Sequence, residues 1–236
     1  MTCDTLLRGR VTVFQPARGY RFSLDPVLLA GFLTPPYGDF VDLGAGCGVL
    51  GFVLATRDPH ARGEAIELQP HLADLLARGA QINGLHERLT CHVGDFLAWA
   101  PRQSEGSFDL VACNPPFYRL EGGHLSPKRE RALAHHELAL PLPAWTAAAA
   151  RLLAPQGRLG VVFPASRDGE LFEALTNAGL AHVRMRYARP SPGRPRHRLF
   201  VEARPGPTSR EVEPDLVVHE GEAFSPDVSR LLDGAL

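Results

Sequence analysis

From residue 39 onward, short apolar runs alternate with segments in which apolar residues recur at helical spacing. The apolar runs are predicted to be strands at Phe40–Leu43, Glu64–Leu68, Leu89–Val93, Phe108–Cys113 and Arg158–Phe163. Helices are predicted between them at Val49–Thr56, Pro70–Asn83, Phe96–Ala100 and Pro143–Leu153. Strands that alternate with helices at this spacing predict an α/β fold, in which a parallel sheet carries helices on both faces.

The pattern changes after the last of these strands. A helix is predicted at Gly169–Ala178, followed by strands at His182–Ala188 and Arg198–Ala203. The loop between these two strands, Arg189–His197, holds three prolines and one glycine. Two strands joined by a short polar loop form a hairpin, so we expect one of them to run antiparallel to the rest of the sheet.

Weaker signals flank this core. Val11–Phe14 has a strand pattern. Asp25 followed by Pro26 is typical of a helix start, because Asp caps free N–H groups and Pro suits the first helical turn. In the tail, Leu216–Val218 predicts an edge strand, and Ser225–Asp227 predicts the start of a short terminal helix.

The composition narrows the class of protein. The chain has 236 residues, 44% hydrophobic and 22% charged, which fits one globular α/β domain with modest additions. It contains no apolar run of the roughly 18 residues that span a bilayer, and no signal-peptide core is visible. The four cysteines form no CxxC pair, so no metal site is expected. We therefore expect a cytoplasmic protein with reduced thiols and no membrane contact.

Charge is distributed unevenly along the chain. The formal net charge of −1 argues against a general nucleic-acid binder. Between residues 178 and 201, however, there are six arginines and no acid: Arg184, Arg186, Arg189, Arg194, Arg196 and Arg198. The tail after residue 208 carries seven acids. The arginines therefore predict either a local phosphate-binding face or a set of partners for the acidic tail.

A glycine-rich loop follows the first strand of the core. In Asp42-Leu43-Gly44-Ala45-Gly46-Cys47-Gly48-Val49-Leu50-Gly51, the last three glycines match the dinucleotide-binding fingerprint. Glu67 follows at the end of the next strand, where an acid binds ribose hydroxyls. Asp42 would repel a pyrophosphate but would suit the cationic amino-acid end of S-adenosylmethionine (SAM). The alternatives are NAD in this loop, or a turn that binds no ligand.

The tetrapeptide Asn114-Pro115-Pro116-Phe117 follows the strand Phe108–Cys113. In an open α/β sheet, this position lies beside the ligand at the carboxyl ends of the strands. The side-chain oxygen of Asn114 and the carbonyl of Pro115 are two acceptors on a stiff turn, suited to a planar amine. Phe117 offers an aromatic face on which a base can stack. An ordinary Asn-Pro turn is the alternative.

These motifs together resemble the class I SAM-dependent amino-methyltransferases, in which Asp, Asn or Ser precedes two prolines and an aromatic residue. Three further segments resemble the bacterial tRNA1(Val) adenine-37 N6-methyltransferase family: Gly19–Leu29, Ser126–His135 and Arg196-His197-Arg198. The resemblance covers nearly the whole chain. It implies a Rossmann-like, seven-stranded and mostly parallel sheet with a C-terminal antiparallel hairpin, SAM as the methyl donor and tRNA as the substrate. The family more often has Tyr where this chain has Phe117.

The resemblance also implies roles for individual residues. Residues that would hold SAM are Asp42, Gly44, Gly46, Gly48, Glu67, Asp95, Phe96 and Asp25. Asp95 would contact the adenine amine of SAM and Phe96 would cover its ring, although Asp95 also suits a helix N-cap. Asp25 would lie at the mouth of the cofactor pocket, or would only cap its helix. Residues 1–38 would form an extension over that pocket, 39–205 the methyltransferase domain and 206–236 a tail.

The catalytic residues implied by the resemblance are Asn114, Pro115 and Phe117. Residues expected to contact the RNA are Lys128, Arg129, Arg131, Arg194, Arg196 and Arg198. The predicted reaction is methyl transfer from SAM to the exocyclic N6 of an adenine in tRNA. The alternatives are an RNA guanine-N2 or protein glutamine-N5 methyltransferase, an NAD-dependent dehydrogenase, or a binding module without catalysis.

Overall fold

A computed structural model describes residues 1–18, 21–115, 141–206 and 211–233. The strands, numbered along the chain, are β1 Thr2–Leu6, β2 Val11–Gln15, β3 Asp39–Leu43, β4 Arg62–Glu67, β5 Leu89–Val93, β6 Phe108–Cys113, β7 Leu153–Pro164, β8 Leu180–Arg189, β9 Arg198–Pro205, β10 Glu211–Val217, β11 His219–Glu220 and β12 Ala223–Phe224. The helices are α1 Asp25–Phe32, α2 Val49–Arg57, α3 Pro70–Ile82, α4 Phe96–Trp99, α5 Leu142–Leu152, α6 Asp168–Asn177 and α7 Pro226–Asp233.

The central sheet has eight strands in the order β10-β8-β9-β7-β6-β3-β4-β5. Every neighbouring pair is parallel except the two pairs that include β9. The carboxyl ends of the other seven strands therefore lie on one edge of the sheet, together with the amino end of β9. This edge is called the carboxyl edge below.

Helices cover both faces of the sheet, as the apolar runs predict. Successive side chains of β3 enter opposite cores: Phe40 packs in the core under α1, α2 and α3, and Val41 packs in the core under α4, α5 and α6. A strand that is buried on both faces needs apolar residues at successive positions, which is the pattern of a central parallel strand. The predicted α/β class is confirmed.

The amino-terminal segment adds a β1–β2 hairpin that packs on the first core through Val11 and Val13. The side chain of Asn83 at the end of α3 holds this hairpin, because it accepts the N–H of Thr12 and donates to its carbonyl, each at 2.7 Å. Asp233 of α7 forms an ion pair with Arg8 in the hairpin turn. The hairpin turn and helix α7 are therefore in contact with each other.

Three details of the sequence-based prediction are corrected. The sheet has eight strands rather than seven, because the tail strand Glu211–Val217 adds in parallel to β8. The strand β1 was not predicted. The strand β7 begins at Leu153 rather than Arg158, since a break in its pairing with β6 separates its two parts. In the residues that the structure describes, no helix is long and apolar enough to cross a membrane.

Candidate active site at the carboxyl edge

The glycine loop joins β3 to α2 at the carboxyl edge. Gly44 and Gly48 have φ angles of 75° and 91°, a region that side chains with a Cβ rarely adopt. A Cβ on Gly48 would lie 2.5 Å from the side chains of Leu76 and Phe52, whereas a Cβ on Gly44 would meet no atom within 4 Å. The backbone of Gly44 therefore faces open space, while Gly48 allows close packing of the loop on α3.

Asp42 lies under this loop with 1% of its surface exposed. Its Oδ2 atom accepts the N–H of Gly51 in α2 at 3.0 Å. Burial raises the pKa of the Asp42 carboxyl to about 7; the Gly51 N–H lowers it and the charge of Glu67 raises it further. A cation placed near this buried carboxyl would favour its ionised form. The surroundings of Asp42 are therefore suited to a cationic ligand group.

Glu67 ends β4 beside the loop and is 5% exposed. Its Oε2 atom accepts the N–H of Gly46, and its Oε1 atom accepts the N–H of Gln69, both at 2.8 Å. Each carboxylate oxygen can accept a further hydrogen bond. Glu67 therefore fixes the conformation of the glycine loop. Its oxygens can still accept hydrogen bonds from a pair of hydroxyl groups.

Asn114 follows β6, whose last residue, Cys113, pairs in register with Leu43 at the end of β3. This register brings Asn114 to the cleft beside the glycine loop. The residues that line the cleft are Phe22, Pro26, Asp42, Gly44, Ala45, Cys47, Val49, Leu50 and Asn114. Asn114, Asp42 and Gly44 thus line one cleft, while their roles toward a cofactor and a methyl acceptor stay predictions.

Pro115 is buried next to Asn114. Outside the described residues lie Pro116, Phe117 and the basic residues Lys128, Arg129 and Arg131. The described cleft has a cavity volume of only about 20 Å³, far below the roughly 300–1,000 Å³ of pockets that hold whole small ligands. It therefore corresponds to one part of a ligand site, and Glu67 lies beyond it along the same edge.

A wider cleft, with a cavity volume of about 340 Å³, opens at the amino ends of the strands. Asp39, Arg62, Thr90 and Phe108 are among its lining residues. It lies on the edge of the sheet opposite to Asn114. Because ligands in open parallel sheets bind beyond the carboxyl ends, this cleft does not belong to the site.

Asp95 and Phe96 follow β5 on the carboxyl edge. The Oδ1 atom of Asp95 accepts the N–H of Leu97 at 2.8 Å, so Asp95 is the N-cap of α4. The side chain of Phe96 is 6% exposed and packs with Trp145 in the core under α4, α5 and α6. The structure thus shows the helix-cap role of Asp95; contacts of either residue with a cofactor remain predictions.

Asp25 does not cap α1, contrary to one of the two roles predicted for it. Leu24 occupies the N-cap position, and no side chain caps the helix. The Oδ2 atom of Asp25 instead accepts the Nε–H of Arg198 at 2.8 Å. Sequence reasoning missed this pair because its members lie 173 positions apart.

The arginine-rich hairpin lies on the carboxyl edge but is not a set of unpaired charges. Five of its six arginines form ion pairs: Arg184 with Glu213, Arg186 with Asp227, Arg189 and Arg196 with Asp215, and Arg198 with Asp25. Three of these acids belong to the tail. The structure therefore shows the second predicted role, as partners for the acidic tail, and Arg194 is exposed at the tip of the loop.

Asp215 is shared by two of these ion pairs. Arg196 donates to both of its oxygens, at 2.9 and 2.8 Å, and Arg189 donates at 2.6 Å. These hydrogen bonds, that of Arg196 first, lower the pKa of Asp215. The guanidinium of Arg196 also lies 4.0 Å from the ring centroid of Tyr187. Asp215 is therefore ionised at neutral pH, and its charge offsets those of the two arginines.

Sequence reasoning missed several residues of the cleft. Phe22 and Pro26 reach it from the amino-terminal segment, Cys47 comes from the glycine loop and Leu50 from the start of α2. The signal for the first two was their place in the segment Gly19–Leu29, in which the resemblance implied a role at the pocket for Asp25 alone among individual residues. Within the described residues, no group of His, Cys, Asp and Glu side chains is arranged to hold a metal ion.

Comparisons with known proteins show which proteins this chain is similar to. Residues 25–178 match the family model described as methyltransferase small domain. A tRNA1(Val) (adenine(37)-N6)-methyltransferase from Porphyromonas gingivalis is 32% identical over 244 residues, covering 99% of this chain and 95% of the relative. A protein of the same name from Vibrio cholerae is 31% identical over 211 residues, covering 88% and 84%.

Among solved structures, a predicted O-methyltransferase from Agrobacterium tumefaciens matches with a TM-score of 0.71. It is 22% identical, and the match covers 89% of this chain and 96% of the other. At this level of identity the match supports the fold class only. Both curated relatives are matched over most of their own length, so the similarity is not confined to one shared module.

Proposed function

This chain belongs to the methyltransferase small domain family, and from that premise we propose that it transfers a methyl group from SAM to the exocyclic N6 nitrogen of an adenine in tRNA. The observation that carries the proposal is the position of Asn114 in one cleft with Asp42 and Gly44. A cofactor loop and an amine acceptor site must lie this close, because the methyl group passes directly between the two ligands. The names of the relatives support tRNA adenine as the acceptor.

The residues at the glycine loop fit SAM. The open space at Gly44 admits a ligand close to the backbone, and the buried Asp42 suits the positively charged amino-acid end of the cofactor. Glu67 would accept hydrogen bonds from the ribose hydroxyls. Gly46, Gly48 and the Asp95–Phe96 segment would form further parts of the SAM site. When bound, SAM supplies a methyl group on a positively charged sulfur that makes it reactive toward nitrogen.

The work of the chain itself is to hold the amine. An exocyclic amine on an aromatic ring is a weak nucleophile, because its lone pair is delocalised into the ring. Asn114, through its side-chain oxygen, and Pro115, through its carbonyl, would each accept one N–H of that amine and favour its tetrahedral geometry. No strong base is needed, since the proton is lost after the nitrogen becomes positively charged. Phe117 would stack on the base.

Binding of the tRNA backbone is proposed for two groups of basic residues. Lys128, Arg129 and Arg131 follow the Asn114 tetrapeptide in the chain. Arg194 and Arg196 lie in the β8–β9 loop, on the same edge of the sheet as Asn114. Phosphate contacts from these residues would orient the RNA without reading its sequence. A cytoplasmic location follows from a tRNA substrate and belongs to the same proposal.

The test is to incubate the protein with isotope-labelled SAM and unmodified total tRNA, and then to analyse the nucleosides by mass spectrometry. We expect label in N6-methyladenosine. Label in N2-methylguanosine would replace adenine by guanine as the acceptor. Label absent from RNA but present in a glutamine-containing protein substrate would contradict the tRNA proposal. Family membership leaves no support for the NAD-dependent dehydrogenase alternative.

A further inference from the structure

The ion pair between Asp25 and Arg198 joins two elements that are distant in sequence. Asp25 is the first residue of α1 and Arg198 is the first residue of β9. The side chains of Arg198 and Asp25 are 29% and 11% exposed, respectively. The Nη1 atom of Arg198 also donates to the carbonyl of His197 at 3.2 Å, which restricts the guanidinium on its own strand.

The pair lies on the carboxyl edge, on the same edge of the sheet as the cleft. Arg198 is in register with Pro164, the last residue of β7, and β7 is the neighbour of β6. Two strand spacings, roughly 10 Å, therefore separate β9 from the strand that Asn114 follows. Phe22 and Pro26, which lie on either side of Asp25 in the sequence, form one wall of the cleft.

The two ends of α1 are held by different forces. At its carboxyl end, Phe32 packs against Phe200 with ring centroids 6.0 Å apart, and Gly31 lies against Leu231 with no room for a Cβ. At its amino end, a mostly buried carboxylate is matched by a guanidinium. A buried charge that loses its partner is strongly unfavourable, and the easiest relief is for that turn to move outward into water. Such a movement would carry the Phe22–Pro26 wall away from the cleft.

We propose that Arg198 is a positioning residue for the cofactor: through Asp25 it holds the wall formed by Phe22 and Pro26 against the SAM cleft, and it does not act as a phosphate ligand for RNA. This role replaces the one that the sequence alone predicts for Arg198. Because SAM binding follows from family membership, the inference stands or falls separately from the identity of the methyl acceptor.

The first test measures the wall without any cofactor. In Arg198→Ala, we expect the amides of Val27 and Leu28, which bond to the carbonyl of Leu24, to exchange hydrogen at least tenfold faster. Arg198→Lys should lie between this variant and the parent, since it keeps the charge but loses the fork of donors. The matched control is Arg204→Ala, which removes an arginine paired with Glu202 at the far end of β9 and should leave these amides unchanged.

The second test separates the cofactor from RNA. By calorimetry, Arg198→Ala should weaken SAM binding about tenfold, or roughly 1.4 kcal/mol, while the dissociation constant for tRNA stays within about twofold. In turnover, the KM for SAM should rise about tenfold while kcat falls less than about threefold. Reversing the pair, with Asp25→Arg and Arg198→Asp together, should recover part of the SAM affinity.

The opposite results would overturn the proposal. If Arg198→Ala weakens tRNA binding and leaves SAM affinity and amide exchange at parental values, Arg198 is a phosphate ligand. If exchange accelerates equally across the sheet and the melting temperature falls in step, the pair serves overall stability and has no positioning role. Should the alanine variant fail to fold, the lysine variant and the reversed pair decide between these results in the same way.

Discussion

The glycine loop after β3 and the arginine-rich loop between β8 and β9 lie on the same edge of the sheet, but their charges are satisfied in different ways. Asp42 and Glu67 at the glycine loop accept hydrogen bonds from backbone N–H groups. Arg189 and Arg196 in the other loop donate to the carboxylate of Asp215. Backbone amides complete the hydrogen bonding of a carboxylate without offsetting its charge. An ion pair completes the hydrogen bonding and also offsets the charge.

This difference bears on the roles proposed for the two regions, because only the glycine loop, in the part of the chain that the structure describes, keeps its charge uncompensated by an ion pair. A carboxylate held by amides still attracts a cation, so the glycine loop retains an electrostatic preference for a positively charged ligand. The paired arginines have little charge left for an outside partner, and a surface ion pair is also weakened by salt. A group of like charges in a sequence therefore indicates a binding surface only when its counter-charges are absent from the fold.

The largest expected effect is at Asn114. Asn114→Ala removes one acceptor for the amine, so we expect kcat to fall about 100- to 1,000-fold with SAM affinity unchanged. Single-turnover methyl transfer and calorimetry measure the two quantities. Asn177→Ala, the same change at an exposed position at the end of α6, is the control and should keep parental activity. Comparable activity in the two variants would remove Asn114 from the mechanism.

Two glycines of the loop should respond differently to the same change. Gly48→Ala adds a Cβ at positive φ and against Leu76 and Phe52, so we expect unfolding to become easier by roughly 2–4 kcal/mol. Gly44→Ala introduces the backbone strain alone, so its free energy of unfolding should fall by about 1 kcal/mol. The new Cβ would enter the open space at Gly44, so SAM binding should weaken. Urea unfolding and calorimetry test both. Equal effects on stability would contradict the packing described at Gly48.

Asp42 should make both stability and SAM binding depend on pH. Its pKa in the folded protein, about 7, lies above the ordinary value of 3.8. As pH rises from about 4 to 7, the unfolded chain gives up this proton before the folded chain does, so this group makes the folded state progressively less stable. SAM affinity should change in the opposite direction and rise toward pH 7, because ionised Asp42 attracts a cation.

Asp42→Asn is the variant that isolates this dependence. It keeps an acceptor for the Gly51 N–H and cannot ionise, so its unfolding free energy should lack the loss between pH 4 and 7 that the parent shows. Denaturant titrations at several pH values measure the difference. Parallel curves for parent and variant would show that Asp42 keeps an ordinary pKa.

The smallest expected effect is at Asp215. Asp215→Asn releases Arg189 and Arg196, so tRNA binding should become about two- to threefold tighter at low salt, with a steeper salt dependence. Glu211→Gln makes the same change of charge at an exposed position of β10 and serves as the control. If the two variants behave alike, the arginines of this loop do not contact RNA, and the contrast between the two regions becomes sharper.

Much of the fold follows from local patterns. The runs around Phe40 and Leu110 predicted β3 and β6 because a strand buried on both faces needs continuous apolar side chains. The tail strand at Leu216 was predicted, but not its place beside β8, since a short polar strand carries no information about its neighbour. The hairpin strand Thr2–Leu6 was missed because only alternate positions of it are partly buried.

The sequence by itself determined the glycine loop, the acid below it and the tetrapeptide that begins at Asn114. These features depend on residues a few positions apart, whose backbone restrictions act before any long-range contact forms. Only the tertiary structure decided that Asp25 binds Arg198 and that Asp215 binds two arginines. Such pairs depend on which strands lie side by side, and charged side chains carry no spacing in sequence that reveals their partners.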